Sequence, residues 1–327
     1  HKPYLIVAPV SLIENWHNEY LRFFSKPMKL TTLSTQQIPR KFDRKAIDLM
    51  QKCDIIITNY ETVRNCQLNF CAVNFAVVVL DEAQKVKTPG TLVTNAVKAL
   101  KSDFRVAMTG TPVENTLLDL WCIMDFCVPG LLGNAREFAK KYQTPLKNQD
   151  TDLIALGNEI HDKLGIYFMR RLKADAAKDL PMKYEVKEQV YMPMIQEKMY
   201  RYVVSSYNPN KKGDMLVTIM GIREVSEHPY LHDDSILAHD CNELIDDAAR
   251  LKATISFLDK IRASSEKVIL FAERKETQKM LQRVIRTRYG YTAKIINGDT
   301  PTSSDPNAGN SLDSRLLMIF KTDMALV

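Results

Sequence analysis

Four times in the first third of the chain, an apolar run of strand length, rich in β-branched residues, ends abruptly in a short polar stretch, and a helical pattern usually follows. Tyr4 to Ala8 runs into Pro9-Val10-Ser11, and Asp54 to Ile57 into Thr58-Asn59-Tyr60-Glu61. Phe75 to Leu80 runs into Asp81-Glu82-Ala83-Gln84, and Phe104 to Met108 into Thr109-Gly110-Thr111-Pro112. Strands this continuously apolar are covered on both faces, which predicts a parallel sheet with helices around it. In such sheets ligands bind outside the carboxyl ends of the strands. Here every carboxyl end carries hydroxyl, carboxylate or amide side chains, so this edge is the expected functional one.

From about Asn115 to Arg250 the texture becomes helical, with Leu117, Leu118, Trp121 and Met124 at helix spacing. Val186 to Met192 is a possible connecting strand, and Tyr207-Asn208-Pro209-Asn210 is a turn or link. The α/β grammar returns near Leu251. A helix is expected over Lys252 to Ile261, a strand over Lys267 to Ala272, a helix over Arg274 to Arg288 and a strand over Thr292 to Ile296. Asn297-Gly298-Asp299-Thr300 and a Pro/Ser/Asn/Gly-rich loop, Pro301 to Asn310, follow. The expected organisation is an α/β lobe over residues 1–135, a helical insertion and linker over 136–250, and a partial second lobe over 251–327.

Composition narrows the class. Of 327 residues, 45% are hydrophobic and 26% charged, as in an ordinary globular protein. No apolar run approaches the length that spans a bilayer, so no membrane partner is expected. The net charge of +6 is modest, but the segment from Lys267 to Lys294 alone holds eight basic residues against two acidic ones. Within it Lys279, Arg283 and Arg286 share one helical face, which could attract a duplex or simply be solvated. The six cysteines form no C-x-x-C pair and no zinc spacing, and read as free thiols in a reducing compartment.

The chemistry concentrates in two segments. In VVVLDEAQ, Val77 to Gln84, a buried strand delivers Asp81 and Glu82 side by side. Adjacent carboxylates repel unless a cation sits between them, and one can hold Mg²⁺ while the other activates water. Asp81 could equally cap a following helix with Glu82 solvated. In RVAMTGTPVEN, Arg105 to Asn115, two hydroxyls flank a glycine that permits a tight backbone. That loop could bond the acidic segment, or be a plain turn stopped by Pro112.

Taken together, these segments resemble the helicase-related ATPases of the Swi/Snf family, in helicase superfamily two. LIVAPVSLIENW (Leu5 to Trp16) resembles motif Ia, DIIITNYETVR (Asp54 to Arg64) motif Ib and VVVLDEAQKVK (Val77 to Lys87) motif II. MTGTPVENTLLDLWCIMDFCVPGLLG (Met108 to Gly133) resembles motif III with its extension, and FMRRLKADAAKDLPMK (Phe168 to Lys183) the arginine-rich block before the second lobe. EHPYL (Glu227 to Leu231), KVILFAERKETQKMLQ (Lys267 to Gln282) and INGDTP (Ile296 to Pro301) complete the order.

The resemblance implies two RecA-like lobes, ATP and Mg²⁺ as cofactors of the intact protein, and translocation along double-stranded DNA. A DNA-bound protein is a further expected target. Asp81 would be the Mg²⁺ ligand and Glu82 the residue activating water. Gln84 stands in place of the commoner histidine, and Thr109, Gly110 and Thr111 would complete the catalytic set. Ser11, Asn15, Thr58, Asn59, Tyr60, Arg274 and Thr300 fall where the family touches DNA, whereas Trp16 reads as packing. In the family a lysine loop precedes the first strand here, and the second lobe here stops before motifs V and VI, which carry the arginine fingers. No G-x-x-x-x-G-K-[ST] occurs in the chain. The expectation is an internal piece of a motor, opening at His1-Lys2-Pro3, that is inactive alone. The competing readings are a non-catalytic DNA- or protein-binding scaffold and a restriction-system motor subunit. The expected compartment is the bacterial cytoplasm, or the nucleus in a eukaryote.

Overall fold

Isoleucine and valine runs build the first sheet. In a computed structural model, residues 1–148, 152–171, 179, 181–232, 235–264 and 266–297 are described, together with the backbone of 317–320. The chain divides into two compact units, His1–Leu180 and Pro181–Val327.

The first unit holds a five-stranded sheet in the order β2-β3-β1-β4-β5, every pairing parallel. Its strands are β1 (Tyr4–Ala8), β2 (Leu30–Thr32), β3 (Ile55–Asn59), β4 (Asn74–Leu80) and β5 (Lys101–Ala107). β1 lies at the centre, with Ile6 opposite Ile57 on one side and Val79 on the other. Because all five strands point the same way, the polar stretches after β1, β3, β4 and β5 share one edge, as the pattern predicts.

Alternation along the strands separates two faces. Leu5, Val7, Ile56, Val78 and Leu80 are fully buried and join Phe70, Phe75 and Phe126 in one core cluster. Helices α2 (Arg44–Gln51), α3 (Tyr60–Asn65), α4 (Gln67–Phe70), α5 (Leu92–Lys98) and α6 (Leu117–Cys127) supply the rest of that core, through Ala46, Val63, Phe70, Val97 and Ile123. All but α4 start where the sequence offers a cap. Asp43 accepts from Lys45 N, Asn59 from Thr62 N and Thr91 from Thr94 N, and Thr116 and Asp119 form a capping box. The other face, under α1 (Ile13–Phe23), is less sealed. An apolar groove of about 760 Å³ runs there, lined by Tyr4, Ile6, Trp16, Tyr20, Phe23 and Val79 among others, and Asp81 stands among its lining residues.

The short helix α7 (Ala135–Phe138) and α8 (Leu153–Leu164) form a smaller cluster with α6, where Trp121, Phe138, Tyr142 and Leu164 pack together. Six free cysteines are present, of which Cys53, Cys66 and Cys122 are buried. Burial pushes the Cys127 thiol up to about 11, far from the thiolate.

The second unit opens without regular structure. The strand expected at Val186 to Met192 does not form, and Val186, Val190 and Tyr191 are exposed. A lone extended segment with no neighbour in a ladder has nothing to hold it as a strand. Helices α9 (Met194–Ser205), α10 (Asp214–Glu227), α11 (Pro229–His232), α12 (Cys241–Asp246) and α13 (Ala249–Ala263) lead to β6 (Val268–Phe271), α14 (Lys275–Tyr289) and β7 (Lys294–Ile296). The backbone of β8 (Leu317–Phe320) runs between β6 and β7 in a parallel sheet of three. Leu251, Ile255 and Leu258 of α13 pack on Val284 and Ile285 of α14. Among the described residues no helix is long and apolar enough to cross a membrane.

Candidate active site

Asp81 and Glu82 leave the carboxyl end of β4 together, and the adjacent turns converge on them. Asp81 N donates to Val7 O at 2.9 Å, which anchors the turn to β1. Glu82 has φ 51° and ψ 53°, and among the described residues it is the sole non-glycine with positive φ. A glutamate held left-handed costs roughly 1–3 kcal/mol, and such strain is concentrated at functional sites. The strained backbone swings Ala83 N onto Met108 O at 2.9 Å, tying the acidic turn to the end of β5.

Side chains extend that tie into a relay. Gln84 Nε2 donates to Glu82 Oε2 at 2.6 Å, and Thr109 Oγ1 donates to Gln84 Oε1 at 2.7 Å. Thr111 N donates to Thr109 Oγ1 at 3.1 Å, and Thr111 Oγ1 to Glu114 Oε1 at 3.0 Å. Lys87, downstream of the acidic turn, pairs with the other oxygen of Glu114. The Lys87 ammonium and then the Thr111 hydroxyl hold the Glu114 carboxyl below the usual range. The amide of Gln84 thus does what a bridging residue must do: it donates to the carboxylate and accepts from the threonine. Gly110 plays a different part from the one expected. A Cβ there would meet nothing within 4 Å and its φ is not left-handed, so the tight backbone falls on Glu82 instead.

Asp81 is fixed by three donors. Its Oδ1 accepts from Glu82 N at 2.9 Å and its Oδ2 from Trp16 Nε1 at 2.8 Å, while Tyr60 OH donates to its backbone oxygen at 2.6 Å. Burial first, then the charges of Asp81 and Glu82, push the Tyr60 phenol above its ordinary value, so it remains a donor. The donor set suits Mg²⁺. The two neighbouring carboxylates, Asp81 and Glu82, offer hard oxygens. Mg²⁺ is usually held in that way, by one or two carboxylates with waters and phosphates completing the shell.

The residues expected to meet DNA separate on inspection. Ser11 and Asn15 are exposed at the start of α1. Thr58 is fully buried and its hydroxyl donates to Leu33 O at 2.8 Å. Asn59 caps α3, and Tyr60 is 6% exposed. In the second unit Arg274 donates to Glu224 Oε1 at 2.8 Å and lies 3.8 Å from Glu227, so its charge is balanced locally. Thr300 lies outside the described residues. On α14, Arg283 is spent on the carbonyls of Ile236 and His239, whereas Lys279 and Arg286 are exposed beside a groove of about 470 Å³. The His-Pro-Tyr-Leu segment is structural. His228 is fully buried between Leu244 O and Tyr230 N, and Tyr230 OH donates to Asp247. Sequence reasoning missed Trp16 as a partner of Asp81 and Asp119 as the organiser of the loop after Thr111. Only the Thr116–Asp119 cap spacing signalled the second.

The description "SNF2-related domain" matches residues 1–231. The chain belongs to that SNF2-related family. Zorya protein ZorD of Escherichia coli O139:H28 is 32% identical, over 92% of this chain and 30% of its own length. The ISWI chromatin-remodeling complex ATPase CHR11 of Arabidopsis thaliana is 26% identical, over 91% of this chain and 28% of its own. A mouse SWI/SNF-related, matrix-associated, actin-dependent regulator of chromatin, subfamily A member 1, is 25% identical, over 91% and 29%. The SNF2-related chain therefore spans about a third of the length of these relatives. A structure of the Sulfolobus solfataricus SWI2/SNF2 ATPase core in complex with dsDNA aligns with TM-score 0.49 at 25% identity, covering 98% of this chain and 67% of that one. In this SNF2-related chain the parallel sheet, the acidic turn after β4 and the threonine turn after β5 stand in the order the family motifs imply.

Proposed function

We propose that this SNF2-related chain is part of an ATP-dependent motor that moves along double-stranded DNA, with Asp81 and Glu82 at its hydrolytic centre. One observation carries the reading. Both carboxylates emerge at the carboxyl end of β4, and that of Glu82 is joined through Gln84 to Thr109 at the end of the paired strand. Asp81 would hold Mg²⁺, which when bound offsets phosphate charge in the transition state. Glu82 would accept the proton of the attacking water, and Gln84 holds its carboxylate in place for that transfer. Thr109 and Thr111 link that carboxylate to Glu114 and Lys87, so a shift of this turn changes the orientation of the base. The plant relative, a chromatin-remodeling complex ATPase, and the mouse relative, a regulator of chromatin, support a DNA setting and a DNA-bound protein as target. Ser11 and Asn15 are the side chains this edge exposes to a phosphate backbone.

The 327 residues contain no lysine loop, so the chain by itself is expected to turn over little ATP. The test is phosphate release by the 327-residue chain and by the protein at full length, each with and without duplex at two salt concentrations. The full-length protein is expected to hydrolyse ATP with duplex stimulation that weakens as salt rises, and the chain alone to stay near background. Binding of duplex without any hydrolysis by the full-length protein would favour a scaffold and contradict the motor. Steady turnover by the chain alone would contradict its expected inactivity.

A further inference from the structure

The residue that holds the free edge of Asp81 comes from the helix expected to face DNA. Trp16 lies on α1, one position after Asn15, and its indole nitrogen reaches Asp81 Oδ2 at 2.8 Å across 65 residues of sequence. The ring lines the apolar groove between α1 and the sheet, so its plane is set by packing and its N–H points at one carboxylate oxygen. Asp81 Oδ1 is occupied by Glu82 N, and the backbone carbonyl of Asp81 by Tyr60 OH from α3. Both rotation of the carboxyl group and tilt of the peptide are therefore restrained from outside β4. The two aromatic donors follow β1 and β3, the strands that flank the edge bearing Ser11, Asn15 and Asn59.

We infer that Trp16 is a positioning residue for the metal-ligating carboxylate, and that α1 acts through it on Asp81. This rests on the proposed reading of Asp81 as the Mg²⁺ ligand. A lone carboxylate at the end of a strand has two soft torsions, and one hydrogen bond to each oxygen fixes them while leaving each oxygen a further lone pair to offer a metal. A displacement of α1 by a ligand at Ser11 or Asn15 would move the indole and turn Asp81 with it. Duplex contact and metal affinity would then be coupled through one side chain, and by reciprocity bound metal would change duplex affinity by the same factor.

The test uses Trp16→Phe, which keeps an aromatic ring in the groove and removes the N–H together with the five-membered ring that carries it. In the full-length protein the Mg²⁺ concentration for half-maximal hydrolysis is expected to rise about tenfold, the lower end of what loss of an outer hydrogen bond to a metal ligand costs. Duplex stimulation is expected to weaken in the same variant. A second readout needs no turnover. This chain has two tryptophans, and Trp121 donates to Gly133 O inside a separate cluster. In a nitrogen-15 indole spectrum of this chain, Asp81→Ala is expected to move the Trp16 resonance and leave that of Trp121 in place. An unchanged Mg²⁺ requirement in Trp16→Phe, or a Trp16 resonance blind to Asp81→Ala, overturns the positioning role while duplex-stimulated hydrolysis by the unaltered protein still stands. Absence of all hydrolysis in the unaltered full-length protein overturns the underlying reading and this inference with it.

Discussion

Glu82→Gln is expected to cut duplex-stimulated ATP hydrolysis by the full-length protein about 10²–10⁴-fold, the usual worth of a positioned general base. The substitution is nearly isosteric, so the left-handed backbone at this position and the contact with Gln84 survive. The Gln84 amide donates to Glu82 Oε2 at 2.6 Å, and a glutamine carbonyl can accept the same bond. What disappears is the ability to take a proton from water. The loss should therefore fall on kcat, with KM for ATP moved little, because the substitution leaves the Asp81 carboxylate with its two donors, and the Tyr60 bond to its backbone oxygen, untouched. Phosphate release measured over a range of ATP concentrations, beside a thermal melt, separates this result from simple misfolding. A variant that melts normally and retains more than a tenth of the rate would remove Glu82 from the role of base.

Asp119→Ala is expected to destabilise the first unit by about 1–3 kcal/mol, from a lost helix cap and half-buried donors that lose a charged acceptor. Asp119 is 7% exposed. Its Oδ2 accepts from the backbone nitrogens of Asn115 at 2.9 Å, Glu114 at 3.2 Å and Thr116 at 3.4 Å, and its Oδ1 from the Thr116 hydroxyl at 3.1 Å. One carboxylate thus gathers the whole turn between Pro112 and α6. Burial pushes its carboxyl up, but the backbone donors of Asn115, Glu114 and Thr116 outweigh burial and hold it below the usual range. The sign follows from that direction. A depressed carboxyl contributes its stability fully above the ordinary carboxylate range near 4 and loses it as pH falls through the lower folded value. The gap between the unaltered protein and Asp119→Ala should therefore be wide at neutral pH and close in strong acid. Denaturant unfolding at a series of pH values measures it. A gap that stays constant into acid would mean that the carboxylate charge contributes nothing. Because the same turn carries Glu114, which binds Thr111 and Lys87, the variant should also loosen the relay to Glu82.

The parallel sheet and its functional edge were legible because apolar periodicity reports burial directly. Ile55 to Ile57 and Val77 to Val79 are β-branched runs that only a covered strand accommodates, and each ends in the polar residues that the structure brings together. β2 was not legible, since Leu30–Thr32 is too short to show a period and exists through its pairing with β3. β8 lies far along the chain from β6 and β7, between which it runs, and distance in sequence hides such a partner. Val186 to Met192 shows the converse: strand-forming residues without a partner strand form no strand and stay largely exposed. At the site, residue types were legible and their duties were not. A threonine after a strand reads as a contact, yet Thr58 is turned inward to Leu33 O. The strain at Glu82 has no signature in its side chain, and the reach of Trp16 to Asp81 depends on the tilt of a helix that composition does not encode.

The most direct measurement of the central claim is the position of a metal. Crystals of the full-length protein grown with Mn²⁺ in place of Mg²⁺ and a non-hydrolysable ATP analogue would show it by anomalous scattering. A single peak is expected beyond the carboxyl end of β4, coordinated by Asp81 directly or through one water, with the terminal phosphate facing Glu82 and the Thr109–Thr111 turn. A nucleotide bound with its metal elsewhere, or with Asp81 and Glu82 facing away from it, would contradict the hydrolytic role of this site.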